Sequence, residues 1–204
     1  FNELSVQDFS EVGLQAISAL DSREKVSDIA LFLDYQIKHL LIDEFQDTSY
    51  AQLILIEKLL ENWQHGSGKT IFLVGDPMQS IYRFRESQVG IFLEVKKNGI
   101  SNVKINSLLL NKNFRSNKSV VDSNNKFFSR IFPLEDSLIH GAIHYSKSSA
   151  ASSKVIGDAI NFFPYAYKQN HQEAQQVVSI IQQNLALNAN QEIAVLVKSR
   201  SHLK

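Results

Sequence analysis

The chain combines two spacings of apolar residues, one typical of helices and one typical of buried strands. Near the start, apolar side chains recur mostly at intervals of three or four residues, at Val6, Phe9, Val12, Ala16, Ile17 and Leu20. This spacing predicts an amphipathic helix that packs beside a sheet. Two short runs, Leu40–Ile42 and Ile71–Val74, are apolar throughout, as fully buried parallel strands are. Together the two spacings predict an α/β fold.

Signals at helix ends place the other helices. Thr48 or Ser49 can cap a helix, and Gln52, three residues after Ser49, completes a capping pattern. The inward-facing residues of this helix are predicted to be Leu53, Ile56, Leu59 and Leu60. Three further helices are predicted at residues 87–98, ended by Gly99, at residues 116–132, stopped before Pro133, and at residues 173–187.

The last third of the chain predicts a linker and a second α/β unit. Residues 146–154 are rich in Ser and Ala and contain no large apolar residue, which indicates a loop or short linker. Apolar runs at residues 160–163 and 193–197 predict strands on either side of the last helix, the second of them buried, and this βαβ order favours a parallel sheet. We place a boundary near residues 96–107, so that residues 1–104 and 105–204 belong to two different domains.

Composition narrows the class of protein. Of the 204 residues, 44% are hydrophobic, and no long apolar stretch is present, which favours a soluble globular protein without a membrane segment. The chain has no cysteine, which excludes disulfides and thiolate metal sites and agrees with a cytoplasmic location. Residues 1–79 hold 13 acidic and 5 basic side chains, whereas residues 80–130 hold 10 basic and 3 acidic ones. Such a basic stretch fits either a nucleic-acid-facing stripe or a solvated helix face.

Acidic residues follow both apolar runs. Asp43 and Glu44 come directly after the first run, and Asp76 comes shortly after the second. In open parallel sheets, ligands bind outside the carboxyl ends of the strands, where Asp43 and Glu44 would emerge, with Gln79 expected on the same rim after the second run. Two adjacent carboxylates at that edge can hold a metal ion and orient a water molecule. An ordinary acidic surface turn after a strand is the alternative.

Three ordered segments carry a family resemblance. They read Leu-Leu-Ile-Asp-Glu-Phe-Gln-Asp-Thr-Ser-Tyr at residues 40–50, Gly-Asp-Pro-Met-Gln-Ser-Ile-Tyr-Arg-Phe-Arg at residues 75–85, and Leu-Asn-Lys-Asn-Phe-Arg-Ser at residues 110–116. In this order they resemble motifs II, III and IV of the UvrD/Rep group of superfamily-one DNA helicases, most closely the RecB/AddA branch linked to exonucleases. The resemblance implies parts of two RecA-like parallel-sheet domains of the P-loop NTPase type.

The resemblance also implies roles in ATP hydrolysis. Asp43 matches the family's Mg²⁺-associated aspartate, and Glu44 matches its catalytic glutamate. Gln79 matches the glutamine that senses the γ-phosphate, and Arg115 matches an arginine finger that reaches this phosphate from the second domain. The alternatives are an ordinary turn residue for Gln79 and structural pairing with Asp122 for Arg115.

A single-stranded DNA site is implied at the end of the second segment. Tyr82, Phe84 and Arg85, together with Arg83, match residues whose rings stack on bases and whose guanidinium groups contact phosphates. Core packing of the two rings is the alternative, because alternate residues of an extended segment often face the interior. Glu86-Ser87 departs from the Gly-Ala usual in the family, and Met78 replaces a commonly polar residue, so the details of DNA contact are less well defined than the ATP chemistry.

Other candidate sites are rejected. His65-Gly66-Ser67-Gly68-Lys69-Thr70 lacks the first glycine of a phosphate-binding P-loop and leads from a helix into a strand, so we expect a surface loop. His140 and His144 have the spacing of zinc ligands on a helix, but Gly141 lies between them and no third ligand is evident. Since the P-loop and motifs V and VI of the family are not found in these residues, we expect the chain by itself to be inactive towards ATP.

The leading hypothesis is the central fragment of an ATP-dependent 3′-to-5′ DNA helicase, the motor of a RecB/AddA-like exonuclease in DNA recombination and repair. Its implied ligands are ATP, Mg²⁺, single-stranded and duplex DNA, and a RecC/AddB-like partner subunit. One alternative is a non-catalytic helicase-like subunit that only binds DNA, although an inactive motor has no reason to keep Asp43, Glu44, Gln79 and Arg115. An RNA helicase is a third interpretation, disfavoured because the residues after Asp43-Glu44 are not Ala-Asp.

Overall fold

The computed structural model describes residues 9–20, 28–64, 66–81, 89–153, 160–166 and 169–199. Contacts within the chain divide it into two compact units, Phe1–Ala159 and Ile160–Lys204. The described helices are α1 (Phe9–Leu20), α2 (Asp28–Gln36), α3 (Tyr50–Leu60), α4 (Val89–Asn98), α5 (Lys118–Phe128) and α6 (Asn170–Leu187). The described strands are β1 (His39–Ile42), β2 (Thr70–Leu73), β3 (Lys112–Asn113) and β4 (Ser149–Ala150). Two 3₁₀ turns, Phe45–Asp47 and Pro77–Gln79, follow β1 and β2.

The first sheet of the larger unit is parallel, as the sequence predicts. Strand β1 pairs with β2 in a register that places His39 opposite Thr70 and Ile42 opposite Leu73. Helix α3 forms the connection between the two strands, as a parallel pair requires. Both strands therefore end at the same edge of the sheet, and a 3₁₀ turn leaves each of them at that edge.

Only one face of this sheet is covered within the described residues. Leu40 and Ile42 of β1, with Ile71 and Leu73 of β2, pack against the hydrophobic core. On the opposite face, Leu41 is 68% exposed and Phe72 is 59% exposed. The prediction that these strands are fully buried is therefore wrong for the described residues, because no described segment covers the second face.

The core lies between the covered face of the sheet and helices α3 and α4. Its buried residues are Phe45, Leu53, Ile56, Leu60, Trp63, Ile91, Val95 and Ile100. The capping pattern predicted for α3 is present: the Ser49 hydroxyl accepts from the backbone N–H of Gln52, and the Gln52 side chain accepts from the backbone N–H of Ser49. Burial of each large aliphatic side chain stabilises the fold by roughly 1.5–3 kcal/mol. The predicted inward face of α3 is confirmed for Leu53, Ile56 and Leu60, while Leu59 is half-buried.

Two helices lie before the first strand. The predicted amphipathic helix is present as α1, which packs against α3 and α2. Helix α2 is not predicted from the sequence, because its apolar residues are spread around the helix. Several of these residues, including Leu31 and Phe32, are more than half exposed in the structure. None of the described helices is both long enough and apolar enough to cross a membrane.

Helix α4 ends where the sequence predicts. Gly99 has a φ of 83°, and its N–H donates to the carbonyl of Val95. A Cβ at this position would clash with the carbonyl oxygen of Val103. Both the left-handed backbone and the close contact require glycine here.

The second sheet corrects the prediction of a linker at residues 146–154. Within that segment, β4 pairs in parallel with β3, placing Ser149 opposite Lys112 and Ala150 opposite Asn113. Asn125 of α5 holds the approach to β4: its side-chain amide donates to the Ser148 carbonyl at 2.7 Å and accepts from the Ser148 N–H at 3.1 Å. Helix α5 itself agrees with its prediction, with Asn117 as the capping residue.

The smaller unit contains the predicted long helix but neither predicted strand. Helix α6 spans Asn170–Leu187 and confirms the helix predicted at residues 173–187. Residues 160–163 and 193–197 form no strand and are exposed, so the two strand predictions are wrong for this part of the chain. A strand needs a paired neighbour to be stable, and the described residues of this unit provide none. The domain boundary near residues 96–107 stays a prediction.

Candidate functional site

Two residues with carboxylate side chains, Asp43 and Glu44, directly follow the end of β1. The N–H of Val74 donates to the Ile42 carbonyl at 2.8 Å, and the N–H of Phe45 donates to the Val74 carbonyl at 2.9 Å. The segments that follow β1 and β2 are therefore hydrogen-bonded to each other on both sides of Asp43 and Glu44. Between these contacts, Glu44 has φ 52° and ψ 38°, a left-handed conformation. A residue with a side chain adopts it at a cost of about 1–2 kcal/mol. Strain of this kind is often found at functional sites.

Gln46 connects the segment that follows β1 to the segment that follows β2. Its side chain is almost completely buried, with 2% of the residue exposed. Its amide nitrogen donates to Oε2 of Glu44 at 2.7 Å, and its amide oxygen accepts from the backbone N–H of Asp76 at 3.0 Å. Asp76 lies 30 residues further along the chain, in the segment that follows β2. One side chain therefore joins the two segments that the sequence singles out.

The side chain of Asp76 extends this series of hydrogen bonds to Gln79. As the capping residue of the 3₁₀ turn Pro77–Gln79, it accepts from the Met78 N–H through Oδ1 at 3.0 Å. Its other oxygen, Oδ2, accepts from the side-chain amide of Gln79 at 2.8 Å. Glu44, Gln46, Asp76 and Gln79 thus form a continuous series of hydrogen bonds, here called the polar chain. It places Glu44 and Gln79 at the same edge of the sheet.

Gly75 allows the two segments to approach this closely. A Cβ at position 75 would lie 2.7 Å from Oε1 of Gln46, 3.1 Å from the Gln46 backbone nitrogen and 3.1 Å from Cε2 of Phe92. Two of these neighbours are fixed, since one belongs to the backbone and the Phe92 ring packs against Phe45 with 6.2 Å between ring centroids. The polar chain and the core therefore depend on the absence of a side chain here.

We expect Gly75→Ala to lower the free energy of unfolding by about 1–3 kcal/mol, because the added methyl group overpacks a closed contact. Denaturant unfolding followed by circular dichroism measures the change. Gly13→Ala is the matched control: a Cβ there meets nothing within 4 Å, and Gly13 lies inside α1. This control should raise stability by about 0.5–1 kcal/mol. Equal effects of the two substitutions would contradict the close contact at Gly75.

Asp43 lies beside Glu44, directly after the end of β1. Its Oδ1 accepts from the Glu44 N–H at 2.9 Å, and the residue is exposed. Among the described residues, no other hydrogen bond or ion pair involves this carboxylate. Mg²⁺ takes oxygen ligands and keeps several waters, so one or two carboxylates beside nucleotide phosphates suit it. The described residues contain no group of three His, Cys, Asp or Glu side chains that could hold a metal by themselves.

Arg115 lies in the turn between β3 and α5. The Oδ1 atom of Asn113 accepts from the backbone N–H groups of Arg115 at 2.9 Å and Ser116 at 2.8 Å, which holds the turn. The guanidinium is exposed and has no partner among the described residues. Asp122, the alternative partner, forms an ion pair with Lys118 instead. No hydrogen bond or ion pair between described residues joins Arg115 to the polar chain.

The predicted DNA contacts Tyr82, Phe84 and Arg85 lie outside the described residues, in the segment that follows Ile81. Ile81 itself is 71% exposed. The chain therefore leaves the 3₁₀ turn of Gln79 through an exposed residue on its way to these positions.

The two rejected sites have structural roles. Lys69 pairs with the Asp34 carboxylate at 2.5 Å, donates to the Asp34 carbonyl, and lies 5.4 Å from the ring centre of Trp63. The Nδ1 atom of His144 lies 2.8 Å from Oδ1 of Asp136. Burial by itself would raise the pKa of Asp136, but the hydrogen bonds and charge of His144, with the charge of Lys96, hold it below its usual value.

The sequence did not predict that Gln46 and Asp76 are members of the site. A signal for Asp76 was present, since an Asp before a Pro is typical of the start of a helical turn. For Gln46 the signal was weaker: a lone glutamine beside two acidic residues is expected to be exposed, whereas this one is buried.

Comparison with known proteins identifies the family. Residues 1–99 match the family model described as the UvrD/REP helicase N-terminal domain, and residues 108–204 match the UvrD-like helicase C-terminal domain. The chain belongs to the UvrD-like helicase family. The two matched ranges together cover almost all of this UvrD-like chain.

Curated relatives of the UvrD-like chain carry a more specific description. It is 35% identical over 136 residues to an ATP-dependent helicase/nuclease subunit from Bacillus pumilus, covering 63% of this chain and 11% of the relative. It is 30% identical over 167 residues to the protein of the same description from Lactobacillus acidophilus, covering 76% of this chain and 13% of the relative. The match to the Listeria welshimeri protein is 36% over 131 residues, or 62% and 10%. The UvrD-like chain thus matches only about a tenth of the length of these relatives.

Proposed function

We propose that this chain is the central part of the motor of an ATP-dependent DNA helicase, within a helicase/nuclease that acts in DNA recombination and repair. The observation that carries the proposal is the polar chain, which joins Glu44 and Gln79 at the carboxyl edge of a parallel sheet. Membership of the UvrD-like family and the description of the relatives as helicase/nuclease subunits support it. In this proposal, residues 1–104 and 105–204 belong to two RecA-like domains.

The proposed hydrolysis uses residues from both segments. Bound Mg²⁺ would neutralise charge on the β- and γ-phosphates and keep the waters that it does not exchange. Asp43 would hold this ion, largely through water, and Glu44 would orient the attacking water. Gln79 would bond to the γ-phosphate through its amide, which both donates and accepts. Arg115 would stabilise charge on the transferring phosphoryl group, for which an exposed guanidinium without a partner among the described residues is suited.

The proposed DNA path follows from the same segments. Tyr82 and Phe84 would stack on the bases of single-stranded DNA, and Arg85 would contact its phosphates. Because this stretch continues from the turn that holds Gln79, DNA binding and nucleotide sensing would share one segment. We propose translocation in the 3′-to-5′ direction and assembly with a RecC/AddB-like partner subunit.

The proposal is tested with the full-length protein that contains this sequence. We expect ATP hydrolysis that single-stranded DNA stimulates, and unwinding of a duplex that carries a 3′ single-stranded tail. A 5′-tailed duplex of the same sequence is the control for direction. DNA binding without hydrolysis would instead indicate a non-catalytic helicase-like subunit, and a preference for RNA over DNA of the same sequence would contradict the proposed substrate.

A further inference from the structure

We propose that Gln46 is a positioning residue for ATP hydrolysis, which holds the Glu44 carboxylate and couples it to the turn that carries Gln79. This inference rests on the proposed function. Gln46 would not touch the nucleotide. It would act through Glu44, with which it shares a hydrogen bond of 2.7 Å.

The hydrogen bonds of Gln46 require an amide. Its nitrogen faces the carboxylates, donating to Glu44 at 2.7 Å and more weakly to Oδ2 of Asp47 at 3.4 Å, while its oxygen faces the N–H of Asp76. Glutamate could accept from Asp76 but could not donate to Glu44 when ionised, and methionine of similar size could do neither. An amide therefore satisfies both ends of the contact at once.

The surroundings of Gln46 keep its side chain in place. The residue is 2% exposed, and there is no room for a Cβ at Gly75 beside its amide oxygen. The Ser80 hydroxyl donates to the backbone carbonyl of Gln46 at 3.4 Å, a second contact between the two segments. A hydrogen bond in such a buried position is stronger than the same bond in water. A shift of the turn at residues 76–79 would therefore change the position of Gln46 directly.

Glu44 is the group that depends on this contact. Among the residues that the structure describes, Gln46 is the one side chain that donates to the Glu44 carboxylate. The left-handed backbone of Glu44 does not by itself orient the side chain, so the amide of Gln46 selects its orientation. Small errors in the position of a catalytic group reduce turnover strongly. The hydrogen bond between Gln46 and Glu44 would therefore make the rate of ATP hydrolysis depend on the conformation of the turn at residues 76–79.

The test compares three substitutions in the full-length protein. Gln46→Met keeps the approximate volume and removes the hydrogen bonds of the side chain to Glu44, Asp47 and Asp76. Gln46→Glu keeps the acceptor for the Asp76 N–H and removes the donor to Glu44. Gln52→Met is the matched control, since it removes a glutamine hydrogen bond from the capping box of α3, six residues along the same segment. The steady-state kcat and KM for ATP are measured with and without single-stranded DNA, together with thermal unfolding.

We expect both Gln46 variants to lose about 10- to 100-fold in kcat, with KM for ATP changed by less than about threefold. The stimulation of kcat by single-stranded DNA should be smaller in both variants, because the hydrogen bond that connects the turn at residues 76–79 to Glu44 through Gln46 is lost. Gln52→Met should lower the unfolding temperature while kcat and DNA stimulation stay at the wild-type values. A purely structural role of Gln46 would lower the unfolding temperature without lowering kcat at an unchanged KM.

Two outcomes overturn the inference and are distinguishable. If the wild-type protein hydrolyses ATP and Gln46→Met has wild-type kcat and DNA stimulation, Gln46 has no positioning role although the proposed function stands. If the wild-type protein shows no DNA-stimulated hydrolysis, the proposed function fails and the inference fails with it. Should Gln46→Met fail to fold, Gln46→Glu with a wild-type kcat would also overturn the inference, because this variant lacks the donor to Glu44.

Discussion

Glu44→Gln in the full-length protein is expected to lower the kcat for ATP hydrolysis by about 10²- to 10⁴-fold, the usual contribution of a positioned acid or base. The amide has nearly the shape of the carboxylate, and its oxygen can still accept from Gln46, so the turn should remain intact. The substitution would remove the negative charge that, in the proposed function, orients and activates water. ATP binding, measured by equilibrium titration, should change little, since Asp43 and the phosphate contacts of the wider protein are untouched.

Glu57→Gln provides the control for this prediction. It removes the same charge from an exposed position on α3, and it should leave both kcat and ATP binding unchanged. Wild-type hydrolysis by Glu44→Gln would contradict the catalytic assignment. The acidic residues after β1 would then be an ordinary surface turn, and the left-handed backbone of Glu44 would need another explanation.

Arg115→Ala is expected to lower kcat by about 10³-fold or more if Arg115 is the arginine finger of this motor. The structure leaves its guanidinium exposed and unpaired among the described residues, while Asn113 holds the backbone of its turn. Removing the side chain should therefore cost little stability. Arg115→Lys should recover only part of the activity, because an ammonium group cannot form the bidentate contact of a guanidinium with phosphate oxygens.

Arg130→Ala tests whether charge alone accounts for the effect. Arg130 is also exposed and lies in the same basic stretch of the sequence, so its loss changes the net charge equally. Steady-state hydrolysis with saturating single-stranded DNA compares the variants. If Arg115→Ala and Arg130→Ala both retain wild-type kcat, Arg115 has a structural role or none.

The parts of the fold that could be predicted from sequence depend on neighbouring residues. Helix α3 followed from the Ser49 and Gln52 pattern because both partners of the capping box lie within one turn. The end of α4 followed from Gly99 for the same reason. Strands β1 and β2 were recognised as short apolar runs, and their parallel order follows from the helix between them.

The parts that sequence did not predict depend on distant partners. Strand β4 looks like a linker because its small residues form a strand only when Lys112 and Asn113 lie beside them. The apolar runs at residues 160–163 and 193–197 show the opposite case, since apolar content without a paired strand among the described residues produces no strand. Likewise, sequence placed Glu44 and Gln79 at one edge of the sheet, but the connection through Gln46 spans 30 residues and appears only in three dimensions.

The backbone of Glu44 has a consequence for how this segment would change under selection. A left-handed conformation favours glycine or asparagine, so substitutions at position 44 that help the chain fold are those that discard the carboxylate. A library of variants sorted by cellular abundance would therefore favour different residues at position 44 from a library sorted by the proposed ATP hydrolysis. Under the proposed function, the glutamate at position 44 therefore provides activity at the expense of thermal stability.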